Sequence, residues 1–322
     1  VFTSGGTAAN LSALVTARDV WRKEDAIHVN QKGIIITSIG AHSSISSMAD
    51  VIDVDVIKIE SEEKLLGSQL QDTLDRLDAH NRERVFAVVA TSGTTNAGII
   101  DDLDGISDVC KKEKLWFHVD GAYGGAALVV DKMKTLFKGL ESANSFTIDP
   151  HKWLFTPYDC GAVIYRDPQQ AKETHSQEGS YLDIFKDEGA HGFNPADYQI
   201  QLTRRLRGMP LWFSLAMHGT DIYKKAVGRG IELARIAGEM ITTLPHVELV
   251  RPPSLSCVLF RRIGWSVSDY TQWTYENHRK QYALVTPTKW KNLDGMESVA
   301  RFCFINPDTT IEDIQGILKT ME

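Results

Sequence analysis

The run Val85-Phe86-Ala87-Val88-Val89-Ala90 is apolar without interruption. A strand with one wet face alternates apolar and polar residues. A strand covered on both faces does not, and parallel sheets are covered on both faces by their crossover helices. This segment therefore points to a layered α/β arrangement. Ile34 to Ser38, Val54 to Ile59, Leu115 to Val119, Phe146 to Ile148 and Gly161 to Tyr165 read as further short strands. Helical patterns run from Gly67 to His80 and from Asp101 to Lys114. The expected fold class is α/β: a large domain over residues 1–222 on a mixed, mostly parallel sheet, then a small C-terminal α+β domain over residues 223–322. Ligands of such sheets sit at the carboxyl ends of the strands.

In the later part of the chain, helices are expected over Arg204 to His218 and Tyr223 to Thr243. Strands are expected over Val247 to Val250, Cys257 to Arg261, Tyr282 to Thr286 and Val299 to Ile305, with a helix from Ser266 to Arg279. A final helix starts at Thr309 as N-cap, with Glu312 completing a capping box. The stretch from Glu173 to Asn194 holds glycines and charges without periodicity, and reads as a mobile loop beside a site.

Bulk properties narrow the function. The net charge of −7 argues against non-specific nucleic-acid binding. No apolar run reaches the ~20 residues of a membrane span. Cys110, Cys160, Cys257 and Cys303 are scattered and form no CxxC pair, so they read as reduced thiols of a cytoplasmic protein, not as a disulfide framework or a metal site.

The chemistry lies at the strand ends. His118-Val119-Asp120-Gly121-Ala122-Tyr123-Gly124-Gly125 ends one strand, and Ser145-Phe146-Thr147-Ile148-Asp149-Pro150-His151-Lys152-Trp153 ends the next. Together they deliver a carboxylate and an amine to one sheet edge. That pair suits a pyridine-ring cofactor held as a Schiff base: the lysine forms the imine, and the carboxylate keeps the ring nitrogen protonated. Taken singly, Asp120 equally caps a turn, and Lys152 reads first as a surface charge, although its setting beside Trp153-Leu154-Phe155 is apolar.

Other segments join this edge. Thr3-Ser4-Gly5-Gly6-Thr7-Ala8-Ala9-Asn10 opens a helix, either as an anion site on exposed N–H groups or as a glycine turn capped by Thr7. Ala90-Thr91-Ser92-Gly93-Thr94-Thr95-Asn96-Ala97-Gly98 follows the buried strand, as a plain loop or as a contact to phosphate or ring substituents. His42, just past the Ile34–Ser38 strand, either stacks on a flat ring or is merely solvated or capping. Trp153, Trp212, Phe213 and Trp290 read as core packing ahead of an aromatic substrate pocket, and Arg204, Arg205 and Arg301 as structural or surface charges.

With these motifs the chain resembles the group II pyridoxal-phosphate-dependent amino-acid decarboxylases, which include aromatic-amino-acid, glutamate, cysteine-sulfinate and 2,4-diaminobutyrate decarboxylases. The resemblance rests on TSGGTAAN at 3–10, AHSS at 41–44, TSGTTNAG at 91–98, HVDGAYGG at 118–125, DPHKWL at 149–154 and RFCFINP at 301–307. It implies an aspartate-aminotransferase-like fold type I, pyridoxal 5'-phosphate as cofactor, an L-amino acid as substrate, and a homodimer with its active site at the interface. Lys152 would carry the Schiff base and Asp120 would hold the ring nitrogen. His42 would stack on one ring face and Ala122 on the other. Gly6, Thr7, Thr95, Asp149 and His151 would surround the phosphate and ring substituents. Tyr181, in Ser180-Tyr181-Leu182, would return the proton to the substrate. The position of Asp149 is often Asn in this family. A carboxylate facing a phosphate is repelled, so Asp149 is expected to orient a neighbouring donor.

The chain begins at Val1, inside what reads as a strand, so a leading segment is expected to be missing. The alternatives are another pyridoxal-phosphate reaction on the same fold, aminotransferase or aldehyde-forming, and a truncated, non-catalytic cofactor-binding dimer partner.

Overall fold

The uninterrupted apolar runs become interior strands. The computed structural model describes residues 1–61, 63–177, 194–292 and 295–322, and they divide into two compact units. The first comprises residues 1–92, 100–126 and 135–217. Its seven-stranded sheet has the order β1 (Phe2–Thr3), β7 (Gly161–Tyr165), β6 (Ser145–Ile148), β5 (Trp116–Asp120), β4 (Val85–Thr91), β2 (Ile34–Ser38), β3 (Asp55–Ile59). Every residue of β2, β4 and β5 is buried, as unbroken apolar runs require.

Strands β3, β2, β4, β5 and β6 run parallel. β7 is antiparallel to β6 and to β1, so β1 runs in the direction of β6. The segments that follow β1, β2, β4, β5 and β6 therefore all emerge at one edge. Strand succession reverses between β2 and β4, the kind of switch point at which open α/β sheets bind ligands.

Helix α1 (Gly6–Glu24) leaves β1 at that edge. It buries Ala9, Ala13, Leu14, Ala17 and Trp21, a stripe at helical spacing. Its small residues allow close approach to the sheet, and Leu14, Ala17 and Trp21 join Ile35, Phe86 and Val89 in one apolar core. Around the same sheet lie α2 (Ser44–Val51), α3 (Gly67–Arg76), α4 (Ala79–Arg84), α5 (Leu103–Glu113) and α6 (Pro168–His175), with α7 (Gly208–His218) starting in this unit.

The second unit comprises residues 93–99, 127–134 and 218–322. Its four strands are antiparallel in the order β10 (Thr286–Asn292), β11 (Gly295–Cys303), β9 (Cys257–Arg262), β8 (Val247–Leu249). Helices α8 (Thr220–Thr243), α9 (Val267–Arg279) and α10 (Ile311–Lys319) contribute Leu233, Ala237, Ile241, Tyr270, Ile314 and Leu318 to a core shared with Val258, Phe260 and Phe302.

Several elements depart from the sequence reading, each for a local reason. The helix expected over Gly67 to His80 stops at Arg76, because the Asp78 side chain accepts from Asn81 N at 2.9 Å and opens α4. The final helix is capped one residue later than expected: Thr310 and Asp313, not Thr309 and Glu312, form the capping box. Tyr282 to Thr286 is not a strand. A Cβ on Gly316 would lie 1.8 Å from the Tyr282 hydroxyl, so Tyr282 is docked against α10, and pairing begins at Thr286↔Arg301. Helix α7 begins at Gly208 because Arg205 and Arg207 turn aside to pair with Asp159. Helix α6, capped by Asp167 with Pro168 at its first position, was not read from sequence. Trp153 is fully buried as expected, whereas Trp212 and Phe213 are 63% and 59% exposed, so core packing is wrong for both. Cys110, Cys160 and Cys257 are buried, and Cys303 is half-buried. Within the stretch from Glu173 to Asn194, residues 178–193 lie outside the described residues.

Candidate active site

Asp120 ends β5, level with Thr91 of β4 and Thr147 of β6. Only 5% of it is exposed. Its Oδ1 accepts the Ala122 backbone N–H at 3.0 Å, and its Oδ2 accepts Asn10 Nδ2 of α1 at 2.9 Å. Two donors fix the carboxylate and leave each oxygen a lone pair for a third partner. Asn10 in turn faces His118, whose Nε2 lies 3.0 Å from Asn10 Oδ1. Ser145 Oγ lies 2.8 Å from His118 Nδ1 and accepts Trp116 Nε1–H at 2.8 Å. Burial pushes the His118 imidazole down to about 4, against the pull of Asp120.

The second strand end supplies the amine. After β6, Asp149 is buried while the Lys152 side chain is 39% exposed, and Lys152 Nζ lies 3.0 Å from Asp149 Oδ2. His151 Nε2 faces the same oxygen at 3.5 Å. The Cys160 N–H donates to His151 Nδ1 at 2.9 Å, which leaves the proton of a neutral ring on Nε2, towards Asp149. Burial lowers the pKa of His151, with Asp149 opposing and Lys152 adding to the shift. The two strand ends are tied together: Asp149 N donates to Ala122 O at 3.1 Å, and Gly121 N to Thr147 O at 2.9 Å. Behind them Tyr123 and Trp153 stack with centroids 5.0 Å apart.

The start of α1 closes on this pair. No side chain among the described residues caps it, and its first intrahelical bond runs from Ala9 N to Gly5 O. The N–H groups of the first turn are left for an anion, and the helix dipole favours one. A Cβ on Gly6 would stand 3.0 Å from both Asp149 Oδ2 and Ala122 Cβ. Glycine is what lets the helix N-terminus come this near the carboxylate. Thr7, the next residue, is exposed. The Thr7 capping alternative is excluded, since Gly5 holds the N-cap position.

His42 stands at the same edge, in the segment after β2, and is exposed. The Ser44 N–H donates to its Nδ1 at 3.2 Å, and Ser44 Oγ lies 2.9 Å from the same atom. A neutral His42 thus carries its proton on Nε2. No hydrogen bond or ring contact among the described residues links His42 to Asp120 or Lys152. Thr95 belongs to the second unit, where its carbonyl accepts from Arg301 Nη1 at 2.6 Å. Tyr181 lies outside the described residues.

Sequence reasoning missed Asn10, His118 and Ser145 as partners of Asp120. All three stand in motifs already singled out, at 3–10, 118–125 and 145–153, but only the fold shows that α1 lays Asn10 over β5. Ser92, in the segment expected to meet phosphate or ring substituents or to be a plain loop, follows β4 directly, and its buried hydroxyl has no hydrogen-bond partner among the described residues.

These residues fit a pyridoxal phosphate group. There is an accessible lysine, a fixed carboxylate with spare lone pairs, a helix N-terminus open to a phosphate, and orphaned buried oxygens at Ser92 Oγ and Asp149 Oδ1. Comparison with known proteins agrees. An aromatic-L-amino-acid decarboxylase of Bacillus atrophaeus is 31% identical over 335 residues, covering 100% of this chain and 68% of the relative. An L-2,4-diaminobutyrate decarboxylase of Acinetobacter baumannii is 31% identical over 346 residues, covering 99% and 66%. The crystal structure of Oryza sativa TDC with PLP and tryptamine superposes with a TM-score of 0.89 at 22% identity, over 100% of this chain and 69% of that one, which establishes the fold. The chain thus spans about two thirds of the length of each of these proteins. Residues 1–263, which carry both strand ends and the α1 N-terminus, match the pyridoxal-dependent decarboxylase conserved domain, and on that match the chain belongs to the pyridoxal-dependent decarboxylase family.

Proposed function

We propose that this protein removes the α-carboxylate of an L-amino acid as carbon dioxide, leaving the amine, with pyridoxal 5'-phosphate as cofactor. The observation that carries the reading is the juxtaposition of a doubly held carboxylate, Asp120, and a half-exposed lysine, Lys152, on adjacent strand ends tied by backbone hydrogen bonds. Named amino-acid decarboxylases among the relatives support it. When bound, the cofactor supplies a protonated pyridine ring, conjugated through a Schiff base, that takes up the electrons of the breaking Cα–carboxylate bond.

Each residue then has a defined task. Lys152 would hold the cofactor covalently through its amine. Asp120 would keep a proton on the ring nitrogen through a charge-assisted hydrogen bond. Gly6 and Thr7 offer backbone N–H groups to the phosphate, and the Ser92 hydroxyl is a further donor at this edge. Ala122 would pack on one ring face and His42, with its proton on Nε2, would cover the other. Asp149 gathers Lys152 and His151 on one oxygen and so orients donors without meeting the phosphate itself. Tyr181 delivers the proton to Cα.

The proposal extends to assembly and place. Leu206, Trp212, Phe213 and Met217, at and around α7, are each more than half exposed. Apolar patches of this kind mark association surfaces, which supports a homodimer. Among the described residues no helix is long and apolar enough to cross a membrane, and four scattered cysteines without a CxxC pair support a cytoplasmic location. Carbon dioxide release, screened over the aromatic amino acids, glutamate and 2,4-diaminobutyrate with protein loaded with pyridoxal phosphate, tests the function. Transamination or aldehyde formation without amine would refute it.

A further inference from the structure

Asp120 is one end of a hydrogen-bond chain, and chemistry at the two ends fixes the direction of every bond. At the far end Trp116 Nε1–H can only donate, and it does so to Ser145 Oγ at 2.8 Å. At the near end the Asp120 carboxylate can only accept, and Asn10 Nδ2 donates to it at 2.9 Å. That bond orients the Asn10 amide, so Asn10 Oδ1 is left to accept from His118 Nε2 at 3.0 Å. The proton of His118 therefore sits on Nε2. Burial keeps the ring neutral at ordinary pH, which makes Nδ1 a bare acceptor for the Ser145 hydroxyl 2.8 Å away. Trp116, Ser145, His118, Asn10 and Asp120 are all 6% exposed or less, so water does not compete at any link.

We propose that Asn10, His118 and Ser145 form a polarised relay of positioning residues behind Asp120. Each donor strengthens the next, so the Asn10 amide holds the carboxylate in one orientation, its spare lone pairs kept for the cofactor's ring nitrogen. The inference rests on the decarboxylase reading and deepens it. It assigns to residues that touch neither cofactor nor substrate the task of fixing the group that does.

The first test needs no cofactor and no turnover. In cofactor-free protein with isotope-labelled histidine, the His118 nitrogen signals are identified by their loss in His118→Gln. They should show Nε2 protonated and Nδ1 bare across roughly pH 6 to 8. A proton on Nδ1 would reverse the chain and overturn the proposal, whatever reaction the enzyme performs.

The second test uses protein loaded with pyridoxal phosphate. Gln at 118 keeps an N–H where Nε2 stands, whereas Phe keeps the ring's volume and loses the donor. The relay predicts that His118→Gln retains most of kcat and that His118→Phe loses on the order of tenfold to a hundredfold with KM little changed, the scale found for outer partners of functional groups. A packing role predicts the opposite order, since a volume-conserving apolar exchange is the milder one, and that order would overturn the relay. Members of one series are not additive. Asn10→Leu combined with His118→Phe should therefore lose no more than Asn10→Leu alone, and losses that multiply would count against the proposal. If the loaded wild type releases no carbon dioxide, the functional reading fails, and the tautomer of His118 still decides the relay.

Discussion

The Lys152 ammonium and the Asp149 carboxylate stand 3.0 Å apart, one 39% exposed and the other 2%. A buried acceptor thus holds a reachable donor. The Asp149 oxygen also faces His151, while its second oxygen has no hydrogen-bond partner among the described residues. The lysine is kept just past the end of β6 without being enclosed, as the proposed covalent role requires.

Replacing Lys152 by Ala should reduce turnover by about 10³-fold or more, the scale on which covalent catalytic groups count. Borohydride reduction of the loaded wild type followed by peptide mass mapping should place the cofactor on Lys152. A label on any other lysine refutes the assignment.

Asp120→Asn should still bind cofactor but turn over roughly 10²- to 10³-fold more slowly, about the loss of one preorganised electrostatic partner. An amide offers one acceptor oxygen, yet both Asn10 Nδ2 and Ala122 N donate to this side chain. One donor would be left facing an NH₂ group. Near-wild-type kcat in Asp120→Asn would remove Asp120 from the mechanism.

The pH dependence of stability has a signed contribution from His118. Its folded pKa is depressed by burial to about 4 from 6.5. The unfolded chain therefore takes up the proton first as pH falls. The stability contribution is fully present above about pH 6.5 and is lost progressively towards pH 4. Asp101 acts in the opposite sense over much of this window: burial raises it from 3.8 to about 6, so the folded state holds its proton longer and gains as pH falls. His118→Gln removes the first effect and leaves the second. Denaturant melts of the cofactor-free protein between these limits should fall less steeply on the acid side for His118→Gln than for wild type. Parallel curves would mean that His118 has the same pKa in the folded and unfolded chain.

Much of this was legible in the sequence, for definable reasons. Buried parallel strands carry unbroken apolar runs, so the limits of β2 and β4 are legible to within a residue. The reacting residues sit directly after such strands, and their motifs are local. What escaped was non-local. Asn10 and His118 are 108 positions apart and meet only because α1 lies across β5. Tyr282 looked like strand material because aromatic residues suit strands, but docking against Gly316 of α10 outweighs that preference. Thr309 and Thr310 are equally good caps in isolation. The choice fell to the one with a carboxylate three residues on that reaches back, Asp313.

The exposed face of α7 should govern self-association. Trp212 and Phe213 are 63% and 59% exposed on a helix with no buried residue among those described. Replacing both with Glu should shift the protein towards monomer in light scattering and lower its tendency to associate, because charge at the centre of an apolar patch opposes burial. An unchanged mass distribution would show that this face is not the contact between copies.

Tyr181→Phe separates the proposed decarboxylation from its aldehyde-forming alternative. Tyr181 lies outside the described residues, and its role rests on its place in Ser180-Tyr181-Leu182. Loss of carbon dioxide does not need the tyrosine proton, whereas protonation at Cα does. Removing a positioned acid typically slows the proton transfer by ~10²–10⁴-fold. The electron-rich substrate carbon then persists, and dioxygen can accept its electrons. With one dioxygen and one water consumed per turnover, the products become aldehyde, ammonia and hydrogen peroxide together with carbon dioxide, in place of the amine. The ratio of amine to aldehyde in aerated buffer, with peroxide measured in parallel, should fall sharply in Tyr181→Phe while the yield of carbon dioxide per substrate consumed stays the same. An unchanged ratio at an unchanged rate would assign the proton to another donor, with His42, its own proton on Nε2, the next residue to replace.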